Sequence, residues 1–153
     1  MDDRIKRIPP SRLQTLPELT PPSDPVLTYL LERAVEGNLP VYFAAVPLEL
    51  VKPFSDSFDP RRHPVGVHAI AAVQQRWKNQ RFTNLVVYPQ GNVFIMSDDY
   101  ITYYACLEGN SEYVPCWVLG ACTNESARDV QGPIRKEDVR GILLGSVPPS
   151  TGV

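Results

Sequence analysis

The chain has 153 residues, a net charge of −2, and 43% apolar against 21% charged residues. This is an ordinary globular composition, long enough to bury roughly two thirds of the unfolded surface in one domain. It excludes a global basic field for nucleic acid or anionic lipid, so any polyanion contact must rest on a local patch, and no apolar run approaches the ~20 residues that span a bilayer.

Met1-Asp-Asp-Arg has no apolar stretch behind it and does not read as a secretory signal. Cys106, Cys116 and Cys122 are an odd count without C-x-x-C pairing. Together these predict a cytoplasmic, reduced protein that does not enter the membrane.

Residues 1–24 hold Pro9, Pro10, Pro17, Pro21 and Pro22 with little periodicity, which predicts an extended or disordered arm. Ser23 or Asp24 then caps a helix, with Pro25 at its first position and Gly37 just past its end. Val26, Leu27, Leu30, Leu31, Ala34 and Val35 recur at helical spacing as its apolar face. Val41–Val46 is a short apolar run that reads as a buried strand. Pro47–Val51 reads as a helical turn or a second short strand, and residues 52–64 as a loop. Val65 to about Lys78 reads as a helix with Val67, Ile70, Ala71 and Trp77 on its packed side.

Next comes the most organised stretch. Asn84-Leu-Val-Val-Tyr88 and Val93-Phe-Ile-Met96 are strands joined by a Pro89-Gln-Gly-Asn92 turn. Ser97-Asp98-Asp99 opens a helix that runs to Glu108 and ends at Gly109, and Tyr113–Leu119 is another strand. After Gly120 the chain turns polar, with Cys122 expected to be the most accessible thiol. Arg135–Leu144 is the last predicted helix, weakened by Gly141. The implied organisation is an arm over residues 1–24, one globular domain over 25–146, and a tail over 147–153. The implied class is α/β (α+β type), a small mixed sheet with packed helices.

Residues 41–120 resemble the ParB/sulfiredoxin fold. Leu48-Glu-Leu-Val-Lys-Pro53 is similar to the first strand phrase of ParB-like domains, and Phe58-Asp-Pro-Arg-Arg62 to the Pro-Arg loop before the helix. Leu85-Val-Val87 resembles the following strand. Ala105 falls on the family's helix alanine, and Val114-Pro115 on its Val-Pro strand start. The resemblance implies a strand, a Gly-rich turn and a helix that begins with a basic pair or with Cys-His-Arg. Here Asp99 occupies the glycine position, and Tyr100, Ile101 and Thr102 stand where the cysteine and arginines belong. Neither the sulfiredoxin nucleophile nor the ParB basic pair that holds nucleotide phosphates is present. A helix start with free amides is an anion site, whereas carboxylates there satisfy the amides and repel phosphate.

Several groups carry two readings each. Asp98 and Asp99 are either a helix cap or part of an Mg²⁺ or acid–base site. Arg61, Arg62 and His63, with Arg76, Lys78 and Arg81, are either a solvated surface or a phosphate-binding patch. Tyr100, Tyr103 and Tyr104 are either core or a stacking platform. His63 and His68 are five apart and do not form a shared metal face, so no metal site is assigned to them. Three functions follow. The first is a binding or regulatory module without the family's catalysis, contacting nucleic acid or a protein and needing no cofactor. The second is a metal-dependent nuclease or nucleotide hydrolase that uses Asp98 and Asp99. The third is a structural interaction protein of a mobile element or phage.

Overall fold

The computed structural model describes residues 20–78 and 84–144. Arg81, residues 1–19 of the expected arm and the expected tail over 147–153 lie outside them. The fold is α/β, with a six-stranded mixed sheet and, among the described residues, four α-helices. In chain order these are α1 (Pro25–Val35), β1 (Val41–Pro47), β2 (Val51–Pro53), α2 (Pro64–Lys78), β3 (Leu85–Gln90), β4 (Val93–Met96), α3 (Tyr100–Glu108), β5 (Tyr113–Leu119), β6 (Arg128–Gln131) and α4 (Lys136–Leu144). Leu48–Leu50 and Pro60–Arg62 are 3-10 turns.

The sheet order is β2-β4-β3-β5-β1-β6. β2 runs parallel to β4 and β3 parallel to β5, while the β3/β4, β1/β5 and β1/β6 pairs are antiparallel. Alternation along the strands divides the side chains between two cores. On β3, Leu85 and Val87 face one core while Val86 and Tyr88 face the other. The larger core also takes Ala44, Val46, Phe94, Met96, Val114, Cys116 and Val118 and is covered by α2 and α3. Gln74 on α2 donates to the Ala105 carbonyl of α3 at 3.2 Å, tying those helices together. The smaller core holds Leu27, Ala34, Val139 and Leu143 beneath α1 and α4. Both faces of the sheet are therefore buried, which is why β3 reads as a continuous apolar run.

Local chemistry sets the helix ends. Asp24 is the cap of α1 and accepts from the Val26 and Leu27 amides at 3.0 and 3.3 Å. Its other oxygen accepts from the Tyr88 hydroxyl at 2.7 Å, which fastens the helix to the sheet. Gly37, at φ +84°, ends α1 in a conformation that side-chain-bearing residues rarely adopt.

Two expectations need correction, and one element was not anticipated. The packed face of α2 is Gly66, Ile70, Val73 and Trp77, whereas Val67 is 53% exposed and Ala71 is also exposed. Gly66 sets this rotation, because a Cβ there would lie 1.9 Å from the Pro60 carbonyl oxygen. Cys122 is buried rather than accessible, its chain folding back against the larger core. The polar stretch after Gly120 contains a strand, β6, which pairs with the edge of β1.

Candidate functional site

The strand–turn–helix arrangement lies between Met96 and Ala105, where β4 ends, Ser97–Asp99 turns and α3 begins. Asp99 is the cap of α3 and only 7% exposed. Its Oδ1 accepts from the Thr102 amide at 3.0 Å and its Oδ2 from the Thr102 hydroxyl at 2.7 Å. Thr102 is fully buried, so this pair is closed off from solvent. Each Asp99 oxygen already accepts a hydrogen bond, and the carboxylate occupies the place an incoming anion would take. Asp98 is half-buried beside it. Among the described residues, no three His, Cys, Asp or Glu side chains gather as a metal site. The geometry thus gives Asp99 the role of a helix cap.

From Tyr100 to Cys106 every residue of α3 is buried. The three tyrosines are part of the core and do not form an open stacking face. Tyr100 packs edge-on against Phe58, with centroids 4.8 Å apart, and its hydroxyl accepts from the Ser55 amide at 3.2 Å. Tyr103 and Tyr104 meet edge to face at 4.9 Å. Burial pushes all three phenols above their ordinary value.

Tyr104 links α3 to the basic loop. The Arg61 guanidinium lies over its ring, 4.4 Å from the centroid. Asp59 holds the edge of the same guanidinium through contacts of 2.9 Å to Nε and 2.8 Å to Nη2. That hydrogen bond holds the Asp59 carboxyl below, and the Arg61 guanidinium above, their ordinary values. Asp59 also caps the Pro60–Arg62 turn by accepting from the Arg61 amide at 3.0 Å. Arg61 is therefore a positioned cation on a capped turn.

Arg61, Arg62 and His63 line a shallow depression of about 550 Å³ with Val67 and His68, at the start of α2. Two of the cations named from the sequence, Arg61 and Arg62, thus stand with His63 around one depression, and a second imidazole, His68, is added. Helical spacing does not align His68 with His63, but His63 precedes the helix, so that spacing does not govern it and both imidazoles line the depression. Arg76 and Lys78 stand at the far end of α2, roughly 20 Å away at 1.5 Å per residue. Asp98 and Asp99 do not line the depression.

All three cysteines are free and buried, and burial pushes the thiols upward, that of Cys106 to about 12. Among the described residues, no helix is long and apolar enough to cross a membrane. No family model matches the chain, and no curated protein matches it.

Proposed function

We propose that the chain is a ParB/sulfiredoxin-like binding module that has lost the family's chemistry and makes its contact through the basic depression at the start of α2. One observation carries the first half of this reading. The helix start that relatives would offer to a phosphate is sealed by Asp99, whose carboxylate is engaged with Thr102 at 3.0 and 2.7 Å. With Thr102, Ile101 and Tyr100 in place of the family's arginines and cysteine, neither nucleotide grip nor thiol chemistry has its residues.

The second half rests on Arg61, Arg62, His63 and His68 around one depression. Asp59 and Tyr104 fix Arg61, so it loses little freedom when a ligand arrives. Asp59 takes the Nε and Nη2 donors of Arg61, which leaves its Nη1 and the whole Arg62 guanidinium for phosphate oxygens, so the partner best matched to this face is a nucleic-acid backbone. A cytoplasmic setting, where free thiols stay reduced, fits this role.

The test uses purified full chain. ATP and CTP are titrated by calorimetry, and single-stranded and duplex oligonucleotides by fluorescence anisotropy at several salt concentrations. The expected result is no nucleotide binding or turnover, together with salt-sensitive oligonucleotide binding. The double variant Arg61→Ala/Arg62→Ala should weaken that binding and reduce the salt slope by roughly two. Tight nucleotide binding or turnover would overturn the loss of chemistry. Oligonucleotide binding indifferent to the double variant would overturn the assignment of the face.

A further inference from the structure

α2 carries apolar residues on two faces. Gly66, Ile70, Val73 and Trp77 turn toward the larger core. Pro64, Val67, His68 and Ala71 recur at i, i+3, i+4 and i+7 on the other side, and all four are exposed. The stripe they form is about 10 Å long at 1.5 Å per residue. The same four residues line the depression of about 550 Å³ together with Arg61 and Arg62. Among the described residues that line it, none is acidic. One concave surface thus joins two guanidiniums to an apolar stripe that nothing in the fold covers.

We propose that this depression takes an unstacked base together with its phosphate, so that the nucleic acid bound by this face is single-stranded. The inference rests on the phosphate contact proposed above and adds the group that fills the apolar half of the site. Charge alone is a small resource here. Arg61 has Nη1 left for a phosphate, and Arg62 its whole guanidinium. The chain's net charge of −2 adds no long-range attraction. Backbone binding to a duplex draws on many neutralised phosphates, and two guanidiniums supply few.

The stripe offers a second source of affinity that only a single strand can use. In a duplex the bases stack inside, and the strand would set charged, hydrated groups against Val67, which is 53% exposed. A single strand can turn a base outward and lay its π-face on an aromatic ring while the adjoining phosphate meets a guanidinium. His68 gives the stripe such a ring, with Pro64 one turn before it and Val67 beside it. Arg61 spends its own face on Tyr104, at 4.4 Å, so its remaining contact is through its edge.

The experiment measures fluorescence anisotropy of the full chain with labelled probes of equal length: oligothymidine, the same strand with abasic sites in place of its thymines, a duplex, and oligouridine. Oligothymidine is expected to bind about tenfold tighter than the abasic strand, the effect of one stacked base, and tighter than the duplex. His68→Ala and Val67→Ser, which alter exposed side chains, should each weaken oligothymidine binding and leave the abasic strand nearly unchanged. Loss on both strands alike from His68→Ala would reduce that residue to a charge and overturn the stacking. Arg61→Ala/Arg62→Ala should weaken both strands. Oligouridine separates the two sources of such a strand: tighter binding than oligothymidine assigns RNA, weaker binding DNA. Equal binding of oligothymidine, abasic strand and duplex, all weakened by the double arginine variant, would overturn the base contact and leave the phosphate contact standing. Binding of no probe, or binding indifferent to the arginine variant, would overturn both. Competition by polyglutamate as strong as by unlabelled oligothymidine would assign an acidic peptide instead and overturn the base contact.

Discussion

Replacing Asp99 by alanine removes two hydrogen bonds whose partners belong to one residue. The first consequence is loss of the α3 cap, which costs about 1 kcal/mol and at most about 2 kcal/mol. The second concerns the Thr102 hydroxyl, 2.7 Å from Oδ2 and fully buried. Left without its acceptor in the core, it adds about 1–3 kcal/mol. The two terms make Asp99→Ala a loss of about 3 kcal/mol, or roughly 10 °C in Tm for a chain of this size. Thr102→Val keeps the side-chain volume and deletes the hydroxyl, so the double variant isolates the pair. A coupling of about 1–2 kcal/mol is expected from the cycle. Urea denaturation followed by circular dichroism measures all four proteins. Oligonucleotide binding by folded Asp99→Ala should match the parent, because Asp99 does not line the basic depression. A stability loss below about 0.5 kcal/mol, within the range of ordinary surface changes, would refute the view that this carboxylate seals the helix start.

Two further outcomes follow from the loop that holds Arg61. Gly66→Ala gains about 1 kcal/mol in helix propensity yet places a Cβ 1.9 Å from the Pro60 carbonyl oxygen. The backbone must shift, so a net loss of about 2 kcal/mol is expected in denaturant melts, with weaker oligonucleotide binding as the Pro60–Arg62 turn moves. Asp59 titrates below its ordinary value in the fold because Arg61 hydrogen-bonds its ionised form. Its contribution is therefore complete above about pH 4 and is lost as the pH falls through the lowered folded value. Stability of the parent relative to Asp59→Asn should shrink on acidification below pH ~4 and stay constant above it.

The helices were legible because their ends carry chemical signatures. Asp24-Pro25 and Gly37 bracket α1, and Asp99 and Gly109 bracket α3. The core strands were legible as apolar runs. β6 was not, since Arg128-Asp-Val-Gln131 has no apolar alternation and is ordered by pairing with β1. The packed face of α2 is not legible for a similar reason. Val67 and Ala71 suggest one apolar stripe, but Gly66 lets Pro60 approach so closely that the helix is turned past it. Cys122 follows a glycine in polar sequence, and only its tertiary contacts bury it. At the site, Arg61, Arg62 and His63 were visible as neighbours in sequence. The hold of Tyr104 on Arg61 needed the fold to bring together residues more than forty positions apart.

The placement of β1 has a consequence for how the chain is made. Val41 pairs with Leu119 on one side, and Phe43 with Gln131 on the other. Both partners emerge from the ribosome long after β1, on the order of ten seconds at ordinary elongation rates. During that interval Val41–Pro47 has two unpaired edges, so nascent chains stalled before Tyr113 should be the species that chaperones engage.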